Sequence, residues 1–333
     1  MALRRLGFLT IGLFDPAAPA AGHETTLGII ELGERLGFDS AWVRHRHLQF
    51  GISSPVAVLA AATQRTSRIE LGTAVIPLGW ENPLRLAEDL ATVDVLSGGR
   101  LNPGVSVGPP MHWDDVRAAL YPDTADAEDF TYERVERLLR FVEGSPATTF
   151  RGPEGIVEEW SDRVEPHSAG LRERLWYGGA SLRSAQWAGE HRMNFLTSSV
   201  LKPEDGRTDF PEVQAEQIDA FRDRHPEGRV SQGLVVIPTD SATADQAERY
   251  RAYAAARLPR TRTLQGPGML FSPDLVGTSA ELAEQLSAHA GFRRVDEVAF
   301  ALPFSFRPED YEQILTDLAE HLGPALGWTP ATD

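Results

Sequence analysis

The stretch from Ile69 to Gly108 admits few structures. Ile69, Leu71, Thr73, Val75 and Pro77 read as a strand rich in β-branched side chains. Pro83 suits the first turn of a helix, where a missing N–H costs nothing. Leu84, Leu86, Ala87, Leu90, Ala91, Val93 and Val95 then recur at helical spacing, and Ser97-Gly98-Gly99 stops the helix. Leu101 to Val107 begins the next strand. A strand, a crossover helix and a strand in so short a span make a parallel βαβ unit.

Six further strands and eight further helices extend the pattern. Strands are expected at Leu6–Leu13, Ser40–Val43, Leu175–Tyr177, Met193–Thr197, Val230–Pro238 and Glu297–Leu302, beside the two in the βαβ unit. Helices are expected at His23–Leu36, Pro55–Thr66, Tyr132–Val142, Pro211–Arg224, Ala242–Ala256, Leu282–His289 and Pro308–Leu322, with another from Ser181 to His191. Eight strands alternating with helices in 333 residues predict an α/β fold, a single (β/α)8 TIM barrel over residues 1–333. A doubly wound sheet is the rival, but no GxGxxG follows the first strand. The periodicity lapses over about 109–130, 145–168 and 258–273, which read as irregular insertions at the C-terminal face.

Charge and composition narrow the partners. A formal net charge of −16 argues against nucleic acid or an anionic membrane surface as partner. No apolar run is long enough to span a bilayer, and the opening MALRRLGFLTIGLF reads as a first barrel strand rather than a signal peptide. The chain has no cysteine, so disulfides and thiolate chemistry are excluded, which fits a cytoplasmic protein.

In a barrel of this kind, functional residues follow the carboxyl ends of the strands. Three such places stand out. After the second strand come Arg44-His45-Arg46-His47; in extended chain the two histidines share one side and the two arginines the other. An H-x-H pair could hold a divalent metal, but it needs further ligands. Strands three, five, seven and eight end in VIPL, GGAS, IPTD and LPFS, leaving only Asp240 as a carboxylate, so no metal is expected. The cluster can instead stabilise an anion or exchange protons near a cofactor.

The second place is Gly178-Gly179-Ala180-Ser181-Leu182-Arg183-Ser184, where glycines allow close backbone approach and a new helix offers unpaired N–H groups. Ser181 and Ser184, three apart, can turn both hydroxyls to one point as a phosphate cradle, although Ser181 is also an ordinary N-cap residue. The third is Gly104-Val105-Ser106-Val107-Gly108, whose small residues suit a ligand against the backbone or tight packing at the barrel mouth. Leu258 to Pro273, with its glycines, suits a lid that excludes water.

The motifs GFDSAWV (37–43), LGTAV (71–75), NPLRLAEDLATVDVLSGGRL (82–101), the G-x-S-x-G of strand four, GGASLRSAQWAGE (178–190) and VGTSAELAEQL (276–286) occur in order across nearly the whole chain. With them the chain resembles the bacterial luciferase-like flavin monooxygenase family. That resemblance implies reduced FMN delivered by a separate flavin reductase, O2 and a small organic substrate oxygenated through a flavin C4a-peroxide. It also implies a homodimer formed through helices of the first half.

By the same resemblance Ser181 and Ser184 would hold the flavin phosphate, with Gly179 and Ala180 beside them. Ala74 and Val75 would form a non-prolyl cis peptide beneath the ring system, Ser106 would face its reactive edge, and Leu258 to Pro273 would be the mobile lid. The family commonly carries Trp-Val-x-Glu-His-His after strand two, where this chain has Trp42-Val43-Arg44-His45-Arg46-His47. His45 thus replaces the acidic residue and Arg46 the catalytic histidine, leaving His47 as acid or base, with Arg46 and His45 as peroxide or substrate contacts. A phosphate-binding arginine of the family is Val107 here, for which Arg134 or Arg137 would compensate. Two other readings stay open: an oxidoreductase of the same fold using F420, and a non-catalytic flavin-binding protein.

Overall fold

The computed structural model describes residues 2–154 and 156–331. Eight staves form the barrel: β1 (Arg5–Thr10), β2 (Ser40–Val43), β3 (Glu70–Thr73, resuming at Ile76–Pro77), β4 (Leu101–Asn102 and Gly104–Ser106), β5 (Trp176–Gly178), β6 (Asn194–Ser198), β7 (Val230–Gly233) and β8 (Glu297–Ala301). All pair in parallel. Both halves of β3 pair with β4, through Leu71↔Leu101 and Ile76↔Val105, and β4 pairs onward with β5 through Gly104↔Trp176. At the other side Arg5↔Glu297 joins β8 to β1, so every stave has two neighbours and the ring closes.

The period of two along each stave sorts side chains between two environments. Leu6 and Phe8 of β1 face the helices, Phe8 lying edge-on to Phe38 at 5.2 Å. Along β2, Ala41 and Val43 join that same helix-facing core while Trp42 points inward. The amino-terminal end of the interior is filled by charge: Arg229 donates to both oxygens of buried Glu297 at 2.9 Å and to Glu70 at 3.0 Å, and Arg5 reaches Glu70 at 2.8 Å. Such a set is retained only because every charge has a partner.

The surrounding helices are α1 (Pro19–Arg35), α2 (Pro55–Thr63), α3 (Pro83–Ser97), α4 (Trp113–Leu120), α5 (Tyr132–Val142), α6 (Leu182–Glu190), α7 (Phe210–Arg222), α8 (Ala244–Arg257), α9 (Ser279–Ala288) and α10 (Pro308–Asp317). The βαβ unit read from the sequence is present with its punctuation. Asn82 caps α3 by accepting from the Leu84 amide at 2.9 Å, Pro83 opens it, and Gly98 ends it at φ 70°. Among the described residues no helix is long and apolar enough to cross a membrane.

All three stretches read as irregular contain order. The 109–130 segment carries α4, whose Trp113 packs edge-on against Phe130 at 4.9 Å; at eight residues it is too short to show a clear period. Gly152–Glu154 and Glu158–Trp160 pair as an antiparallel hairpin, too short to show alternation. Within 258–273, Leu258–Thr261 is a 3-10 turn and Leu270–Phe271 pairs antiparallel with Val200–Leu201. The expected strand Val230–Pro238 is also divided. Only Val230–Gly233 stays in the barrel, while Val236–Pro238 pairs with Leu275–Gly277, a strand the sequence reading missed.

One packing feature has a pH signature. His289 follows α9, accepts from the Phe292 amide at 3.2 Å, and is pushed by burial down to about 4. A histidine depressed in the folded state stabilises the protein above its unfolded pKa near 6.5, and that stabilisation is lost as pH falls toward 4. Urea unfolding at pH 7 and pH 5 should show wild type losing on the order of 1–2 kcal/mol more than His289→Gln between the two. Equal losses would show that His289 titrates normally.

Candidate active site

Two indoles fill the barrel interior above the charged layer. Trp42 and Trp176 meet edge to face, centroids 5.3 Å apart. Each ring N–H has a partner: Trp42 donates to Ser40 Oγ at 2.9 Å and Trp176 to Asn102 Oδ1 at 3.1 Å, with the Arg229 guanidinium 4.9 Å over the Trp176 ring. Trp42 lies flat on Gly72 of β3, where a Cβ would come within 2.2 Å of the indole. The plug closes the barrel from below and makes the floor of a cavity.

The cavity, about 380 Å3, opens at the carboxyl ends of the staves. That size is within the range of small-molecule and cofactor sites. Ala74, Val75 and Ser106 stand on one wall and Gly179 and Ala180 on the next, so five of the residues singled out in the sequence share one space. The Ala74–Val75 peptide is cis, as the resemblance implied, and it divides β3. Around it the backbones approach closely. Thr73 Oγ1 donates to the Gly104 carbonyl at 2.8 Å and accepts from the Gly104 amide at 2.9 Å. A Cβ on Gly104 would lie 2.2 Å from the Thr73 carbonyl, and one on Gly178 would lie 2.5 Å from Val75 Cγ1. The first glycine of the G-x-S-x-G run therefore serves packing, while Ser106 reaches the cavity.

Arg260, Met269 and Phe271 of the 258–273 segment line the same space, with Arg257 at the end of α8. Its charge is entirely basic. Arg44, Arg257 and Arg260 face the cavity, and among the described lining residues there is no His, Asp or Glu. Arg257 is paired with buried Asp274, whereas Arg260 is 3.9 Å from it and is pushed below the ordinary arginine range chiefly by burial. Arg44 lies 5.1 Å over the Phe304 ring and has no ion pair among the described residues.

Ser181 and Ser184 meet at the start of α6, their hydroxyls 3.1 Å apart. Ser181 Oγ accepts from the Ser184 amide at 3.2 Å, and Ser184 Oγ accepts from the Ser181 amide at 3.0 Å. They form a capping box directly beyond Ala180, though neither is among the residues lining the cavity. Arg134 does not substitute for the arginine missing at Val107. It is buried, bonded to Glu128 at 2.9 Å and to the Leu78 carbonyl at 2.8 Å, and it ties the 109–130 segment to the loop after β3. Asp240 is likewise committed, capping α9 by accepting from Ser279 Oγ at 2.6 Å.

The run after β2 keeps the strand's alternation through His45 and then departs from it at Arg46. Trp42 and Arg44 point inward, while His45 and His47 turn away together, their rings 4.3 Å apart, and none of His45, Arg46 or His47 lines the cavity. Arg46 Nη1 lies 3.1 Å from Met111 Sδ. His45 is 4% exposed, and its Nε2 bonds the Ser53 carbonyl at 2.9 Å. His47 stacks on Trp80 at 4.0 Å. Burial, then the charge of His47, pushes His45 down to about 4, and burial also lowers His47. Glu81, from the turn after β3, joins this pair and is pushed up to about 7 by burial and by Asp89. The sequence reading missed Glu81 because it inspected only strand termini for carboxylates.

The sequence profile described as luciferase-like monooxygenase matches residues 5–298. The chain belongs to that family. Two curated relatives are a 4-hydroxyprotoasukamycin monooxygenase of Streptomyces nodosus subsp. asukaensis and an F420-dependent glucose-6-phosphate dehydrogenase of Intrasporangium calvum. The first is 33% identical over 50% of this chain and 44% of its own, the second 35% identical over 50% and 51%. The matches thus span about half the length of these relatives or less.

Among solved structures, apo-MsnO8 superposes with a TM-score of 0.71 at 20% identity, covering 99% of each chain. The oxygenating constituent of 3,6-diketocamphane monooxygenase from Pseudomonas putida, solved with FMN, gives 0.64 at 14% identity, covering 97% of this chain and 99% of that one. These likenesses concern the fold, a luciferase-like TIM barrel.

The contact between Trp42 and Gly72 gives a direct test. Gly72→Ala should force the rigid, fully buried indole off the β3 backbone and cost about 1–3 kcal/mol of stability in urea unfolding, with a shifted tryptophan emission. Wild-type stability and emission in this variant would show that the floor yields.

Proposed function

We propose that this luciferase-like protein is a flavin-dependent monooxygenase. On this reading it takes reduced FMN from a separate reductase and oxygenates a small organic substrate with O2. What carries the reading is the single cavity shared by Ala74, Val75, Ser106, Gly179 and Ala180, the residues expected beside the cofactor. The space fits the group: its walls combine small and apolar residues with three arginines, its floor is aromatic, and the start of α6 adjoins it with amide groups suited to a phosphate. When bound, reduced flavin supplies the two electrons that let one oxygen atom enter the substrate and the other leave as water.

The chain's own residues have three tasks. Trp42, Trp176 and Leu196 below, with Met269 and Phe271 above, exclude water from the reacting groups. Ser181, Ser184 and the first-turn amides of α6 would hold the phosphate. Arg183, exposed on that turn and without an ion pair among the described residues, would supply the charge that Val107 lacks. Arg44, with its unpaired guanidinium on the wall, would hold negative charge in the substrate or developing on oxygen. His47 as acid or base, and Arg46 and His45 as substrate contacts, would act from beside the wall. A homodimer through the first-half helices is part of the reading, and Val95 and Leu96, both exposed on α3, suit such an interface.

A second reading, hydride transfer with F420, is favoured by the F420-dependent relative. Anaerobic titration with reduced FMN and with reduced F420, then exposure to O2, separates them. The monooxygenase should bind reduced FMN and consume O2; binding of F420 alone, with no oxygen uptake, would favour the second reading. Ser181→Ala combined with Ser184→Ala should weaken FMN at least tenfold, with thermal melting monitored because the helix cap is also lost. Arg183→Ala should weaken FMN several-fold but leave riboflavin unchanged; an equal effect on both would remove Arg183 from the phosphate site.

A further inference from the structure

The cluster beside the cavity has a chemistry of its own. One donor atom each from His45, His47 and Glu81 lies within 4.8 Å of the other two. The three side chains come from two connections at the mouth: the histidines follow β2, and Glu81 closes the 3-10 turn Leu78–Trp80 after β3.

The tautomer of His45 leaves a buried lone pair. A backbone carbonyl only accepts, so the 2.9 Å contact from His45 Nε2 to the Ser53 carbonyl places the ring proton on Nε2. Nδ1 of the neutral ring is then an acceptor. It is buried, in a side chain nine-tenths covered, and no described donor reaches it. His47 Nε2 is buried and unpartnered in the same way, and no hydrogen bond or ion pair of the Glu81 carboxylate is found among the described residues. Buried polar atoms are nearly always paired, so the unpartnered His45 Nδ1 and His47 Nε2, with the Glu81 carboxylate beside them, are open to one shared positive partner.

We propose that His45, His47 and Glu81 form a binding site for one first-row divalent transition-metal cation of the zinc or iron(II) class. Two imidazole nitrogens and one carboxylate are a donor set these ions take, leaving further positions for water, whereas calcium and magnesium favour all-oxygen sites. The supporting contacts are in place. The Ser53 carbonyl orients the His45 ring through the nitrogen that would not bind, as outer partners of metal-bound histidines do. Trp80 stacks flat on His47, 16° from parallel, and fixes its plane. Arg46 turns its guanidinium to Met111, and Arg134 is held by Glu128. On this inference the acid or base role proposed above for His47 gives way to metal binding and the charge on the cavity wall is left to Arg44, whichever cofactor the cavity holds.

The test uses the full chain, stripped with chelator and free of flavin. Zn2+ titrated calorimetrically should bind at one equivalent with a dissociation constant in the micromolar range or below. Co2+ should give visible absorption bands of a nitrogen- and oxygen-ligated ion and quench the emission of nearby Trp80. Glu81→Gln and His47→Gln, both at half-buried positions and checked for folding by circular dichroism, should each weaken Zn2+ at least tenfold and abolish the cobalt bands. No binding by wild type, or one equivalent bound with unchanged affinity in both variants, overturns the proposal.

Discussion

The arrangement of this barrel depends on the contact between Trp42 and Gly72. A closed ring of eight staves needs its interior filled, and here two indoles meeting edge to face occupy the middle layer. Trp42 can lie across the barrel only because β3 presents no side chain beneath it. Below, the Arg5–Glu70–Arg229–Glu297 set closes the amino-terminal end, and Arg229 serves both layers by stacking on Trp176. Above, the space that the indoles leave is the cavity. Filling the lower barrel with rigid indoles and paired charges gives the mouth a firm floor.

The same alternation that turns Trp42 inward distributes the chemistry at the mouth. Every second residue of a stave faces the interior, so Arg44 follows Trp42 to the cavity and His45 follows Val43 away from it. The cavity wall is consequently cationic and has no group that titrates near neutrality, while the histidines gather outside it with Glu81. In a chain of net charge −16, an interior lined by three arginines is a local inversion of sign that favours an anionic ligand. Aromatic rings at 4.5–5.1 Å from Arg44, Arg257 and Arg260 hold those guanidinium groups in place without neutralising them.

Much of the fold was legible because long periodic elements carry their own signals. The helix from Pro83 to Ser97 announces its start, face and end in Asn82, its apolar spacing and Gly98. Elements that depend on partners far along the chain were not legible. The pairs Val200–Leu201 with Leu270–Phe271 and Val236–Pro238 with Leu275–Gly277 are two or three residues long, and only the closed barrel brings them side by side. At the site, Ala74, Val75, Ser106, Gly179 and Ala180 could be picked out through short motifs, and they do share a cavity. Arg44 was passed over although the parity of Trp42 already pointed it inward.

By itself the sequence determined the kind of structure. Eight alternating strand and helix signals, with glycines where backbones must approach, allow a barrel and little else, because local hydrophobic period and turn chemistry act within a few residues. The tertiary structure alone decided which charged groups meet. Arg134 could be a ligand contact or a brace, and its bonds to Glu128 and the Leu78 carbonyl make it a brace. Glu81 has no motif, yet closure of the ring sets it against His45 and His47. Burial, hydrogen bonding and charge at a site are sums over neighbours from distant parts of the chain, and those neighbours exist only once the barrel has closed.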